Sequence, residues 1–287
     1  TMNDGDPTTG LDTLANCPRG GSVSVLHNSH LGVGGEKPRV TSIACLSGTG
    51  AHLIAFSRPP VTPQQLAFVS SSTTGIISVL LPVPIADGNV AWSEFTTKID
   101  LCDSAKETAL GHPACDADVL TPNHSVPAGM FWSKSTGKIY SYLAGYGSIV
   151  EIDPATLVMT TRRVEVPGVW SVEVTPNGRF LFLAGENVTS DPNKVIGRFG
   201  LVDLSQPTLS VVSHGLDHVR PSQFRFTADG NRLYVTQSNA TIGLTSQQAA
   251  ALDKDKLYVF DATPWPASFP LLTRIELPPV GSVGVHG

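Results

Sequence analysis

The sequence predicts an all-β chain made of repeated quartets of antiparallel strands. Three observations predict it. Apolar residues recur with period two in short runs through most of the 287 residues, the strand period and not the helical one. Glycine and proline, 27 and 22 residues, punctuate those runs as turn formers do. One strand–turn–strand pattern returns three times in the C-terminal half.

The first copy reads Met130-Phe131-Trp132-Ser133, a turn to Gly137, Lys138-Ile139-Tyr140 and then Ile149-Val150-Glu151-Ile152-Asp153. The second reads Trp170 to Thr175, the turn Pro176-Asn177-Gly178, Phe180-Leu181-Phe182 and Gly200-Leu201-Val202-Asp203. The third reads Phe224 to Thr227, the turn Ala228-Asp229-Gly230, Leu233-Tyr234-Val235 and Leu257 to Asp261. The turn glycines lie 41 and 52 residues apart. Asn-Gly and Asp-Gly between apolar runs mark hairpins, because the turn needs a residue that tolerates positive φ. A fourth strand follows each copy, over Met159 to Glu165, Leu209 to Ser213 and Leu271 to Leu277. Four antiparallel strands every 40–55 residues are the unit of a β-propeller blade. One blade cannot bury both its faces, so blades must stack around an axis.

With strands lettered a to d outward from that axis, complete blades are expected over 51–101, 127–165, 169–213 and 222–277. Residues 22–28 and 39–46 read as strands c and d of a partial blade, and Val280 to Gly287 as the approach to an inner strand. That makes about five blades, or a fragment of a seven-bladed ring. The expectation is a single propeller domain over 1–287, with an N-terminal arm 1–21 and insertions at 102–125 and 238–255. The first insertion, rich in Asp, Ala and Pro, reads as a long loop. The second holds a short helix near Ala249, with Ser246 as its cap.

These residues resemble the YVTN family of propeller repeats, whose unit has an inner strand, an S-P-D-G turn, a Tyr-Val-rich strand and a strand ending in Ile-Asp. Thr175-Pro176-Asn177-Gly178 and Thr227-Ala228-Asp229-Gly230 match the turn, and Leu233-Tyr234-Val235-Thr236 matches the name-giving strand. The resemblance covers about 126–287 well and 50–101 loosely. It implies a fold shared by proteins of many activities, surface-layer-like and lactonase-like among them, and so implies no single function. The six-bladed gluconolactonase-like repeat is a neighbouring resemblance.

Composition narrows the class. Charged residues make up only 15%, the net charge is −5, and the 19 basic residues form no run, which excludes a nucleic-acid surface. No apolar stretch reaches the length of a membrane span. Cys17, Cys45, Cys102 and Cys115 form no C-x-x-C pair. An even count in this setting fits two disulfides in an oxidising compartment, Cys17–Cys45 and Cys102–Cys115 being the favoured of three connectivities. Sequons at Asn123, Asn187 and Asn239 make glycosylation a candidate. The polar opening Thr1-Met2-Asn3-Asp4 reads as a mature or trimmed product, secreted or periplasmic.

Chemistry is sought on the face shared by the d–a and b–c connections. His124 and His218 each lie nine residues before the Ser or Thr that ends an inner strand, His52 lies closer to its own, and His286 occupies the final approach. Four imidazoles meeting there would suit copper or another divalent metal, in placement like copper enzymes such as nitrous oxide reductase. In YVTN-type repeats a histidine at this position also serves packing or the turn. Glu173 and Arg225 share one register, two residues before Thr175 and Thr227, as a structural ion pair or a catalytic one. Glu186 and Asn187 in a b–c connection, with Tyr146 and Trp170 as apolar walls, are the ligand-binding candidates. No hydrolase, zincin, P-loop or dinucleotide motif is present. The leading expectation is therefore a propeller that recognises a small ligand or a protein partner, a ring-completing second chain included. A copper-type oxidoreductase and a lactonase-like hydrolase are the alternatives.

Overall fold

The structure, a computed structural model, describes residues 2–3, 17, 21–27, 39–48, 50–85, 90–101, 104–115, 124–187, 191, 193–241 and 243–278. The chain divides into two compact units, Thr1–Glu165 and Val166–Gly287. Among the described residues every strand pairing is antiparallel, and within each sheet sequential strands are neighbours except the strand Ile99–Asp100, which pairs with the strand Ile76–Pro84.

Among its described residues unit 1 holds three sheets. The first joins β1 (Met2–Asn3), β2 (Ser22–His27) and β3 (Arg39–Cys45) in that order. Two strands were expected here; the N-terminal arm supplies the third, paired to β2 through Met2 and Asn3. The second sheet runs β4 (Ala51–Phe56), β5 (Ala67–Ser71), β6 (Ile76–Pro84) and β7 (Val90–Glu94). It has a fifth strand where four were expected. At nine residues β6 is long enough for two partners, so β7 pairs Leu80 to Pro84 while β8 (Ile99–Asp100) pairs Ile76 and Ile77. The third sheet joins β9 (Pro127–Ser133), β10 (Lys138–Leu143), β11 (Ser148–Asp153) and β12 (Val158–Glu165). The connection before it contains α1 (Ser104–Ala109), a helix where a loop was expected.

Unit 2 holds two sheets, β13 (Val169–Val174), β14 (Phe180–Asn187), β15 (Ile196–Asp203) and β16 (Val211–Asp217), then β17 (Pro221–Phe226), β18 (Arg232–Gln237), β19 (Lys256–Asp261) and β20 (Leu271–Glu276). β16 ends four residues beyond the expected Ser213. α2 (Ser246–Ala251) lies in the 238–255 insertion, and its cap is Thr245, not Ser246. Thr245 has extended backbone, its hydroxyl accepts from Gln248 N, and the Gln248 side chain accepts in return from Thr245 N. This reciprocal box leaves Ser246 as the first helical residue. The expected inner strand over 280–287 lies outside the described residues.

The recurring signatures have local causes. Gly137, Gly178 and Gly230 all sit at φ between 68° and 76°, where a side chain would be strained. Gly178 N donates to Thr175 O at 2.7 Å and Gly230 N to Thr227 O at 2.9 Å. The Ser or Thr that ends the inner strand then accepts the first amide of the next strand. The pairs are Leu66 N to Ser57 Oγ, Phe180 N to Thr175 Oγ1 and Arg232 N to Thr227 Oγ1, at 3.0–3.1 Å. The Asp that ends the third strand accepts the amide two residues on and meets a basic residue from the second strand. Asp153 pairs Lys138 at 2.7 Å, Asp203 pairs Arg179 at 2.7 Å and Asp261 pairs Arg232 at 3.0 Å. An Asx turn and an ion pair thus explain one conserved-looking letter in each repeat.

Burial peaks in the middle strands. β5, and all of β11 but its last residue, are buried along their length, and so is Phe180–Gly185 of β14. β16 and β20 are largely exposed. The middle strands are therefore covered on both faces, which is why they read as near-continuous apolar runs. In unit 1, Phe68, Ile77, Ile139 and Ile152 lie in one such core; in unit 2, Phe182, Phe199, Leu233 and Tyr258 lie in another.

Candidate functional site

Each inner strand of the four full sheets carries a register break at its start. β4 slips between Ala51 and Leu53, β9 between Pro127 and Gly129, β13 between Val169 and Ser171, and β17 between Pro221 and Phe224. The surplus residues are His52, Ala128, Trp170 and one of Ser222 and Gln223, which together oppose Thr236. A β-bulge re-aims the side chain of its extra residue, so the repeat itself presents one variable residue at the entrance of every inner strand.

In unit 2 two consecutive bulges face each other. Trp170, 38% exposed, donates its indole Nε1–H to Pro221 O at 2.8 Å. The Arg220 guanidinium lies 5.6 Å from the centre of the Trp170 ring. Arg220 Nε stands 3.3 Å from Glu186 Oε2, and Nη1 donates to Ala240 O at 2.7 Å. Its backbone N–H is taken by Gln237 Oε1 at 3.0 Å. Between the bulges is a pocket of about 300 Å³ lined by Trp170, Ser171, Arg220, Ser222, Gln223 and Ser238. Of the expected ligand residues, Trp170 lines this pocket, and Glu186 stands behind it as the ion-pair partner of Arg220. Asn187 closes β14 opposite Ile196. Tyr146 belongs to unit 1, where it is buried, stacked on His112 at 4.9 Å and bonded to Pro113 O.

Glu173 and Arg225, expected in one register, lie on β13 and β17 with Arg225 Nη1 3.1 Å from Glu173 Oε2. Arg225 is 76% exposed. Burial raises the Glu173 carboxyl above its ordinary range, more than Arg225 lowers it. This leaves a carboxyl with an upward shift beside an accessible guanidinium.

Three of the four expected histidines lie among the described residues. His52, in its β4 bulge, and His124 are exposed residues of unit 1, and His218 is an exposed residue of unit 2. His286 lies outside the described residues. Among the described residues no group of three or more His, Cys, Asp or Glu side chains is disposed to hold a metal ion. His218 has φ 64°, fixed by its N–H donating to Val195 O at 2.7 Å and its carbonyl accepting from Asp253 N at 3.0 Å. It lines a second cavity of about 640 Å³ with Asp217, Asp253 and Arg274.

Cys17 and Cys45 form a disulfide as expected. Cys115 is also disulfide-bonded, and its expected partner Cys102 lies outside the described residues. Asn123 also lies outside them. Asn239 is exposed, with its amide Nδ2 donating to Asp255 Oδ1.

One charged centre was not anticipated. Glu107 on α1 is fully buried and receives both Nη groups of Arg163, at 2.6 and 3.0 Å. His112 Nδ1 lies 2.8 Å from Glu107 Oε2, and Arg163 Nε donates to Glu165 Oε1 at 2.6 Å. Burial alone would raise the Glu107 carboxyl, but Arg163 and His112 outweigh it and hold it below the ordinary range. The pair clips α1 to β12. The helix-forming run Ser104-Ala105-Lys106-Glu107-Thr108-Ala109 was the readable signal.

Strand count, sheet order and repeated turns define the class: a β-propeller of four-stranded antiparallel blades, with five sheets among the described residues. Solved structures agree. A protein from Lactobacillus plantarum matches with TM-score 0.55 and 10% identity over 96% of this chain and 68% of that one. The Dos1 propeller matches with TM-score 0.51 and 10% identity over 83% of this chain. This chain spans about half of the Dos1 propeller, 51% of its length. No family model matches, and no curated protein is similar at a significant level. At such identity the likeness is one of fold alone. No helix among the described residues is long and apolar enough to cross a membrane.

Proposed function

We propose that this chain, read as a YVTN-type propeller domain over 1–287 working outside the cytoplasm, recognises a small polar ligand at the pocket between Trp170 and Arg220. The observation that carries the reading is that two bulges in adjacent inner strands leave an oriented, partly exposed indole beside a guanidinium with fixed partners. Such a pocket has an apolar wall and a few placed polar groups, the usual make-up of a small-molecule site. The disulfides at Cys17–Cys45 and Cys115 support an oxidising compartment. A thermal-shift screen of small polar compounds tests the reading. A ligand at 100 times its Kd stabilises by about 2.7 kcal/mol, so the wild type melts higher with at least one compound and Trp170→Ala does not. Equal shifts in both proteins would contradict it.

A second reading is favoured by Glu173 alone. Its raised carboxyl beside exposed Arg225 suits general acid–base hydrolysis of an ester or lactone, with Arg225 polarising the carbonyl. Here Glu173→Gln abolishes turnover without loss of thermal stability, and chelators leave turnover intact. A wild-type protein inert towards a lactone series would end this reading.

A further inference from the structure

We infer that the ligand of the Trp170 pocket is a neutral saccharide, one sugar ring packed on the indole with its hydroxyls bonded to the rim. The inference rests on the proposed reading of this pocket as a ligand site and names the class of compound. Three observations select that class.

The first is the state of the aromatic wall. The Trp170 N–H is spent on Pro221 O at 2.8 Å. The ring is thereby oriented, and what it offers a ligand is apolar surface. Sugar C–H groups pack on such a surface, while a ligand needing an indole donor finds none.

The second is charge balance. Arg220 stands against the pocket, but its Nε faces Glu186 Oε2 at 3.3 Å and its Nη1 already donates to Ala240 O. The Arg220 charge at the pocket wall is thus already balanced from behind by Glu186, so an anionic ligand would compete with that carboxylate and a cation would meet the guanidinium itself. The site is thus built for an uncharged molecule.

The third is the rim. The hydroxyls of Ser171 and Ser222 and the amide of Gln223 line the pocket and make no side-chain hydrogen bond among the described residues. Each hydroxyl both donates and accepts, and the amide does the same through two atoms. Adjacent sugar hydroxyls need such mixed partners. A purely apolar ligand would strip these groups of water and pair none of them, which is unfavourable for each group left unmade. At about 300 Å³ the pocket lies at the lower end of ligand-site volumes and suits one ring rather than a chain.

The test follows binding with sugar-detected saturation-transfer NMR on the full chain. Neutral probes are methyl glucoside, methyl galactoside and N-acetylglucosamine. Gluconate and glucose 6-phosphate are their charged counterparts, and cyclohexanol and benzamide are uncharged non-sugars. At least one neutral sugar binds saturably, and both charged counterparts bind more weakly. Trp170→Ala weakens that sugar by about tenfold or more. Ser222→Ala and Gln223→Ala, which leave the indole in place, each weaken it by about threefold with unchanged melting. Trp170→Phe restores binding in part and covers the case in which the alanine variant is unfolded. If gluconate, benzamide or another non-neutral or non-sugar probe binds in a Trp170-dependent way and neutral sugars do not, the saccharide inference falls while the pocket reading stands. If no probe of any class binds in a Trp170-dependent way, both fall.

Discussion

Of the arginine–glutamate pairs, one from each unit shows by its differences what separates structure from function. In unit 1, Arg163 is 8% exposed and gives both terminal nitrogens to a fully buried Glu107. In unit 2, Arg225 is 76% exposed and touches Glu173 through one nitrogen at 3.1 Å. A bidentate, dehydrated pair costs a great deal to break because the survivor is a lone charge in the interior. An exposed single contact is screened and contributes little. The same chemistry therefore serves as a staple in one place and leaves a solvent-facing guanidinium available in the other.

The comparison is broken most sharply at Arg163. Arg163→Ala leaves Glu107 buried without its main partner, and a chemical-denaturation curve should show a loss of about 3–5 kcal/mol. The next effect belongs to the site itself. A Cβ at Gly185 would lie 2.1 Å from Gly168 O and 2.6 Å from Val169 Cα, both backbone atoms that cannot swing aside. Gly185→Ala should cost on the order of 1–3 kcal/mol and displace the Trp170 bulge, read as loss of the ligand-induced thermal shift. Arg225→Ala should fall within about 1 kcal/mol of wild type by the same denaturation curve.

The smallest effect is a matter of sign. Glu107 has a depressed carboxyl, so its contribution is present above the ordinary carboxylate pKa and is lost as pH falls toward the native value. Glu173 has a raised carboxyl, so its contribution is present below the ordinary pKa and is lost as pH rises through the native value. Stability measured across the acid range should lose its mildly acidic decline in Glu173→Gln and keep it in Glu107→Gln. Identical profiles for the two variants would show that burial does not divide the pairs in this way.

Much of the architecture was written in single residues. Gly137, Gly178 and Gly230 marked the turns because only glycine is comfortable at those φ values, and Asp153, Asp203 and Asp261 marked the strand ends they cap. The bulges were hidden. A bulge is a mismatch between two strands, and Val169-Trp170-Ser171 carries no glycine or proline to announce one. The second partner of β6 was hidden for the same reason, since pairing belongs to two segments and not to either. At the site, Trp170 and Glu186 stood out by residue type. Arg220 did not, because it arrives from the connection to the next blade, 50 residues beyond Trp170. The Glu107–Arg163 clip joins residues 56 apart, and only its helix-forming run was local.

The central claim is that the bulge-built pocket at Trp170 receives a ligand. Four tryptophans give four indole N–H signals, and a nitrogen-labelled sample titrated with a thermal-shift hit reads each one separately. The account predicts that the Trp170 signal, assigned by its disappearance in Trp170→Phe, moves saturably while the other three stay in place. A saturable shift confined to another tryptophan, with Trp170 unmoved, would contradict it.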